Sequence, residues 1–518
     1  MTPLSQTINH LSSSRYLAPV VSGVLLGLSF PSYPFVRLEL LAWIALVPLL
    51  LSLRHVEQFG ELLRRVYLTM LLFCVISLWW VSLATFSGGV LTVVMHACFM
   101  TIPLMFFYAV KKMAGYRFAL LALPFLWVAW EWLYMQQELS FGWLTLGNSQ
   151  ANLTSMIQYA DITGVWGISF WLLWFNVLFL IAIASNQQER RRLIVIMITM
   201  VITPLLYAWW LSSAEKNALR KADYLRVTLV QPNIDPHEPY EIHAVMEHYN
   251  RMSSDAIRLN KPDLVIWPET AILFSLLDPL YATELNQLRS SIQQWHTAVL
   301  SGCIDTAHGG NQLYSLYNAS ILLDPHGEVQ TYHKIHLVPF GERVPYIDYF
   351  PSLGELSFAL SGIRGWEKGD ETTVMKLSSP KGEIAFANII CYESIFPSFV
   401  AEFVRKGARM LTLITNDGWY ATSYGPYQHL AIGRLRCIEN RRAMARCANT
   451  GVTVVFDKFG RTLAEIPWWQ QQTLSADVPL ASELTLYTRY PDVLPKSAVG
   501  VSSLFFIAAF IRRKSKAL

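Results

Sequence analysis

Three short stretches place a chemically able side chain where an apolar run breaks off. In FANIICYESIF, a strand-like run over residues 384–390 stops at Cys391, followed at once by Tyr392 and Glu393. In VIWPETAI, Glu269 sits just past another such run, and in YHKIHLVPFGERVPY, Lys334 and Glu342 lie among apolar and aromatic neighbours. A thiol, carboxylates and an ammonium are the ingredients of covalent catalysis, with a thiolate as nucleophile. Each residue also has an ordinary explanation. A buried cysteine packs as a small hydrophobe, a strand-end glutamate caps or pairs, and a lysine lays its stem along apolar surface. Taken singly, none of the three decides the question.

The elements that must position these residues read as strands alternating with helices. YLRVTLVQPN, DLVIWPET, AVLSGCID, NASILLD, IAFANIICYE, MLTLITNDGW and GVTVVFD are rich in Val, Ile, Leu and Thr and predict strands. Helical patterns cover 242–260, 282–295 and 429–448, and Asp324-Pro325-His326-Gly327 predicts a turn. Such alternation implies an α/β domain. No internal repeat or Gly-rich phosphate loop interrupts it.

That domain is only part of the chain. Of 518 residues, 53% are hydrophobic and 15% charged, which is too apolar for an ordinary soluble protein of this length. Long apolar runs fill the chain before about residue 211 and return near the end. Segments 17–30, 38–53, 66–85, 90–110, 118–135, 166–184, 193–211 and 493–511 predict about eight membrane helices, the first two short. Segment 17–30 is read as an anchor rather than a signal peptide, because no small-residue cleavage site follows it. The expected domains are therefore membrane helices over 1–211, a globular domain over 212–490, and a last helix with a basic tail over 491–518.

Arg15, Arg54, Arg64, Arg65, Lys111, Lys112, Arg117, Arg190–Arg192, Arg512, Arg513, Lys514 and Lys516 fall on alternate connections of this arrangement. The opposite short loops hold Arg37 and almost nothing else. By the positive-inside rule both termini are cytoplasmic and the globular domain is on the outer face. The net charge of +4 is then mostly topology, not a nucleic-acid footprint. Glu131 sits near the outer end of its helix and is expected at the interface. The six cysteines suggest no disulfide framework. Cys437 and Cys447, placed on one predicted helix, would stand about 15 Å apart along its axis, too far to bridge. His243 and His248 lack an acidic partner of metalloprotease type, and no metal site is expected.

In type and order, Glu269 in W-P-E, Lys334 in H-K-x-H-L-V-P-F-G-E and Cys391 in C-Y-E resemble the Glu-Lys-Cys triad of the nitrilase (carbon–nitrogen hydrolase) superfamily. The likeness extends into the membrane part. WWVSLATFSGG (79–89), FGWLTLGNSQ (141–150), TNDGWY with a later GPYQH, and LYTRYPD resemble the apolipoprotein N-acyltransferase family over essentially the whole chain. The triad alone marks the superfamily, and the membrane motifs narrow it.

The resemblance implies an αββα sandwich on a polytopic membrane domain, in the inner membrane of a two-membrane bacterium with the catalytic domain periplasmic. It implies an acyl transfer without cofactor. Cys391 takes an acyl chain from a membrane phospholipid as a thioester. The α-amine of an S-diacylglyceryl cysteine on an apolipoprotein then receives it. Glu269 serves as acid and base, and Lys334 favours the thiolate and, with a backbone N–H after Cys391, holds the oxyanion. Glu342 matches a further family glutamate that orients Lys334. Tyr392 flanks the sulfur and is read as shaping an acyl pocket, and Asn416 and Asp417 as pocket wall. Glu393 stands either as a participant or as a structural residue. Where the family commonly carries a Trp, DPHEPYEI offers Tyr240 as an aromatic wall. Residues 346–366, apolar but loop-like, are read either as a lid dipping toward lipid or as core packing. Two rivals stay open: an amidase that uses water, and a silent scaffold that binds lipoproteins.

Overall fold

The computed structural model describes residues 15–31, 36–215, 223–238, 241–309, 312–352, 365–379 and 382–517. The chain falls into two compact units, Met1–Leu211 with Tyr490–Leu518, and Ser212–Arg489.

The first unit is helical: α1 (Leu17–Leu28), α2 (Val47–Leu53), α3 (Phe59–Leu78), α4 (Phe86–Ala114), α5 (Tyr116–Tyr134), α6 (Ala160–Ala184) and α7 (Gln187–Glu215), with a helix after the second unit, Val493–Ala517. Among the described residues, four helices are long and apolar enough to cross a membrane: α4, α6, α7 and the last one. The predicted spans 17–30 and 38–53 become the short α1, and a 3₁₀ turn followed by α2.

Glycine spacing sets the packing of α1 on α3. A Cβ at Gly23 would lie 2.6 Å from the Thr69 carbonyl oxygen, and one at Gly27 2.6 Å from the Ile76 Cβ. Helices approach this closely only over small residues. The motif over 141–150 folds as two buried 3₁₀ turns, Gly142–Leu144 and Leu146–Gln150. Non-helical backbone at such a place needs internal partners. Leu146 N–H donates to Glu131 Oε1 at 2.7 Å, Gly147 N–H to Ser169 Oγ at 2.9 Å, and Gln150 Nε2 to the Glu39 carbonyl at 2.9 Å. Glu131 is buried within the protein, 4% exposed, and accepts the Trp127 indole N–H at 3.0 Å as well as this segment's Leu146 N–H.

The second unit is a sandwich of two sheets. The first has the order β13-β1-β2-β4-β5-β6, with β3 beside β4. Its strands are β1 (Tyr224–Gln231), β2 (Leu264–Ile266), β3 (Ile272–Ser275), β4 (Ala298–Gly309), β5 (Gln312–Leu323), β6 (Val329–His333) and β13 (Gln472–Pro479). The second has the order β12-β11-β10-β9-β8-β7. It contains β7 (Val374–Ser379), β8 (Gly382–Ile390), β9 (Leu411–Thr415), β10 (Met444–Ala448), β11 (Thr453–Phe456) and β12 (Thr462–Ile466). Helices α8 (Ile242–Asn260) and α9 (Ala282–Trp295) close the first sheet through Met246, Tyr249, Leu288 and Ile292. Helices α10 (Pro397–Arg405) and α11 (Gly425–Asn440) belong with the second, and Gly433 of α11 brings its backbone onto Leu413 and Met444. The Cys447 thiol, in β10, donates to the Val230 and Ile266 carbonyls of β1 and β2, joining the inner faces of the sheets. With the last helix numbered α12, the observed architecture is a helical membrane domain plus an αββα α/β domain.

One boundary differs from expectation. The predicted helix 429–448 stops at Asn440, where Arg441 turns left-handed at φ 49°. Met444–Ala448 instead pairs parallel with β9. Cys437 and Cys447 therefore lie on different elements, and all six cysteines are free thiols.

Candidate active site

Parallel strands present their C-terminal ends together, and these ends carry the chemistry-bearing residues. Strands β8 and β9 pair parallel with Ile390 opposite Ile414. Cys391, one residue beyond β8, therefore emerges opposite Thr415, the last residue of β9, and Asn416 follows it. Glu269 lies three residues beyond β2 and Lys334 one beyond β6.

Backbone contacts fix the Glu269 turn. Gly302 N–H donates to the Pro268 carbonyl at 3.1 Å, and a Cβ at Gly302 would fall 2.6 Å from the Glu269 Cα. Only glycine permits that approach. The Glu269 carboxylate then accepts three hydrogen bonds: Lys334 Nζ at 3.0 Å and Asn318 Nδ2 at 2.9 Å on Oε1, and the Asn416 N–H at 3.2 Å on Oε2.

Lys334 is held at both ends. Its N–H donates to the Asn318 carbonyl at 2.8 Å and its carbonyl accepts from Gly369 N–H at 2.9 Å. The buried ammonium reaches Glu269 and, at 2.8 Å, Glu342 Oε1. Burial alone would lower its pKa, but Glu269 and then Glu342 carry it well above the usual lysine value. Lys334 is thus a fixed cation. Glu342 is anchored by the Val338 N–H on Oε2 at 2.8 Å and shares Asn318 Nδ2 at 3.0 Å.

Cys391 begins a 3₁₀ turn, Cys391–Ile395, with φ 50°. A non-glycine residue in that region costs about 1–2 kcal/mol and needs support from its surroundings. The sharp turn leaves the cysteine partly exposed while Tyr392 through Ile395 are buried. Burial, then Glu269, push the thiol well above its usual pKa, and Lys334 pulls the other way without prevailing. The expected pull of Lys334 toward thiolate is therefore present and is opposed by burial and Glu269.

Glu393 ties the two segments together. Its Oε2 accepts the Ile390 N–H at 2.9 Å, before the nucleophile turn. Its Oε1 accepts the Ile335 N–H at 2.7 Å, after Lys334, and the Tyr332 hydroxyl at 2.6 Å. Fully buried, its carboxyl is pushed up to about 7 by that burial. Tyr392 is buried, its ring edge-on to Phe396 at 5.5 Å. Tyr240 and residues 353–364 of the proposed lid lie outside the described residues, while Tyr349 and Phe350 are exposed.

The structure thus brings Glu269, Lys334, Glu342, Cys391, Glu393 and Asn416 to one end of the sandwich. It adds residues the sequence did not single out. Asn318 bridges Glu269 and Glu342 from within β5. Ser394, His429 and Arg446 surround Asp417 and the Cys391 turn. Burial acts to raise the Asp417 pKa, but Arg446 and His429 hold it down to about 2.

Residues 226–484 match the carbon–nitrogen hydrolase family, and residues 22–178 match the apolipoprotein N-acyltransferase N-terminal domain. Over 528 aligned residues the chain is 52% identical to the apolipoprotein N-acyltransferase of Chlorobaculum tepidum, covering 98% of each chain. The chain belongs to the apolipoprotein N-acyltransferase family. A second relative, the apolipoprotein N-acyltransferase of Geobacter metallireducens, is 32% identical over 96% of each chain. As a member of this family the protein is an acyltransferase of the nitrilase superfamily that N-acylates lipoproteins. Its apolar helices agree with a bacterial membrane protein.

Proposed function

We propose that the protein moves an acyl chain from a membrane phospholipid to the α-amine of an apolipoprotein's S-diacylglyceryl cysteine, through a thioester on Cys391. The observation that carries this reading is the Lys334 ammonium, fixed between Glu269 at 3.0 Å and Glu342 at 2.8 Å and close enough to Cys391 to feel its charge. In the first half, Glu269 takes the thiol proton as sulfur attacks the ester carbonyl, at the sn-1 position. The oxyanion is held by Lys334 and the Tyr392 N–H. The carbon–oxygen bond breaks, and Glu269 returns the proton to the departing lysophospholipid alkoxide. In the second half, Glu269 takes a proton from the attacking amine. Collapse of the second tetrahedral adduct forms the amide and expels the thiolate, which recovers its proton from Glu269. Glu342 and Asn318 orient Lys334 and Glu269, and Glu393 holds the nucleophile turn against the Lys334 segment.

Membrane anchoring suits this chemistry. Each buried methylene of an acyl chain is worth about 0.8 kcal/mol, so neither substrate leaves the bilayer readily. The reading assigns 1–211 and 491–518 to the bacterial inner membrane with both termini cytoplasmic, and 212–490 to a periplasmic catalytic domain. The skewed Lys and Arg distribution supports that orientation.

Cys391→Ser and Glu269→Gln test the assignment. Both are expected to abolish transfer to a diacylglyceryl-cysteine peptide while accumulating in the membrane like wild type. Turnover retained by either variant contradicts it.

A further inference from the structure

Two of the motifs, TNDGWY and GPYQH, take no direct part in the chemistry above, yet the fold brings them together behind Cys391. His429 Nε2 lies 3.1 Å from the Cys391 carbonyl oxygen, and Ser394 Oγ donates to the same oxygen at 2.8 Å. On its other side, His429 Nδ1 faces Asp417 Oδ1 at 3.0 Å and Arg446 Nη2 at 3.2 Å. Arg446 in turn pairs with Asp417 Oδ2 and donates to the Val452 carbonyl. All four side chains are buried, Asp417, Ser394 and Arg446 completely.

Ser394, His429 and Asp417 have the composition of a hydrolytic triad, but the geometry denies them that role. The serine hydroxyl is spent on the Cys391 carbonyl and has no access to solvent. A carbonyl oxygen only accepts, so the tautomer with hydrogen on Nε2, which also lies 2.9 Å from Ser394 Oγ, lets His429 donate to it.

We infer that His429 is a positioning residue: with Ser394 it clamps the Cys391 carbonyl and so aims the Tyr392 N–H at the acyl oxygen. The inference rests on Cys391 being the nucleophile. A trans peptide is planar, and its C=O and N–H point in opposite directions. No cis bond occurs among the described residues. Pinning the Cys391 oxygen on two donors therefore fixes the direction of the Tyr392 N–H. The same two bonds hold Cys391 at φ 50°, a conformation it would otherwise leave. Asp417 and Arg446 set the ring. Both are themselves locked, Asp417 by the Thr415 hydroxyl at 3.1 Å and Arg446 by the Val452 carbonyl.

The test separates aim from reactivity. Alkylation of Cys391 by iodoacetamide needs the thiol but no oxyanion donor, whereas acylation by phospholipid needs both. Wild type, His429→Leu and His429→Gln would be purified in detergent and followed by intact mass. Loss of one well-aimed oxyanion donor costs about a hundredfold or more. His429→Leu is expected to lose acylation by about that factor, with alkylation within about threefold of wild type and KM for phospholipid unchanged. His429→Gln, whose amide can donate to the carbonyl, is expected to recover about tenfold of the loss. Acylation at the wild-type rate in the Leu variant would overturn the inference. So would acylation and alkylation falling by the same factor. Should His429→Leu not fold, Ser394→Ala removes the other donor, together with its 2.9 Å contact to His429 Nε2, and leaves the Asp417–Arg446 pair in place. There a loss of about tenfold in acylation alone is expected, and unchanged acylation overturns the clamp. If wild type itself forms no adduct while iodoacetamide still labels Cys391, the nucleophile assignment fails first and takes the inference with it.

Discussion

The Lys334 ammonium stands 3.0 Å from Glu269 Oε1, with both side chains almost wholly withdrawn from solvent. A buried pair of this kind is costly to break, because removing one partner strands the other charge. It also divides the work around Cys391: the cation pulls the thiol toward ionisation while the carboxylate and burial push it back.

Glu269→Gln should therefore have two opposite effects. It removes a cause of the raised Cys391 pKa, so iodoacetamide labelling at pH 8 should become about threefold faster or more. It also removes the proton acceptor, so phospholipid acylation should vanish. In wild type, labelling should keep rising with pH beyond the ordinary thiol range. A wild-type labelling profile that levels off near pH 7 would contradict the raised thiol pKa.

Asn318 donates to Glu269 and Glu342 through one nitrogen. Asn318→Ala should lower kcat by about 10- to 100-fold, since small misplacements of reacting groups cost that much, and leave KM nearly unchanged. Asn318→Asp should be worse, because it sets a third carboxylate beside the other two. Steady-state kinetics on both variants, with KM and kcat resolved, checks the ordering.

Gly302→Ala places a methyl group 2.6 Å from the Glu269 Cα, and also 2.6 Å from the Pro268 carbonyl oxygen and the Thr270 nitrogen. Backbone cannot rotate aside as a side chain can. A stability loss of about 1–3 kcal/mol is expected from overpacking. A fall in kcat of about a hundredfold should accompany it, from the displaced carboxylate. Thermal unfolding and kcat measured on the same preparation test both parts.

Which of these features the sequence exposes follows from where each residue sits. Glu269, Lys334 and Cys391 are visible because each breaks an apolar strand at its end, where a polar residue is conspicuous. Asn318 lies inside β5 and reads as the start of NASILL, and its partners are 49 and 24 residues away. His429 falls within a helix whose fully buried face gives no clear periodicity. The predicted helix runs on into β10 because NRRAMARCA holds neither Gly nor Pro. Only the left-handed Arg441 and pairing with β9 turn that segment into a strand. Glu393 is ambiguous in sequence because its four hydrogen bonds join segments some 55 residues apart, and only the folded chain shows that it accepts from both Ile390 and Ile335.

Glu393 also gives a pH prediction. Burial lifts its carboxyl from the ordinary 4.5 to about 7, so the folded protein keeps a proton that the unfolded chain releases. Stability from this group is full below about 4.5 and is lost as pH rises through about 7. The melting temperature of wild type relative to Glu393→Gln should therefore decline between pH 5 and 8. A difference that stays constant across that range would contradict the raised value.

The central claim is that Cys391 carries the acyl chain between a lipid and an amine. The most direct measurement is the intact mass of the enzyme after incubation with a phospholipid of defined acyl composition. One acyl chain should appear on wild type and not on Cys391→Ser. A diacylglyceryl-cysteine peptide should discharge it rapidly, and water only slowly. No adduct, an adduct that persists in Cys391→Ser, or discharge by water as fast as by the peptide would contradict the account.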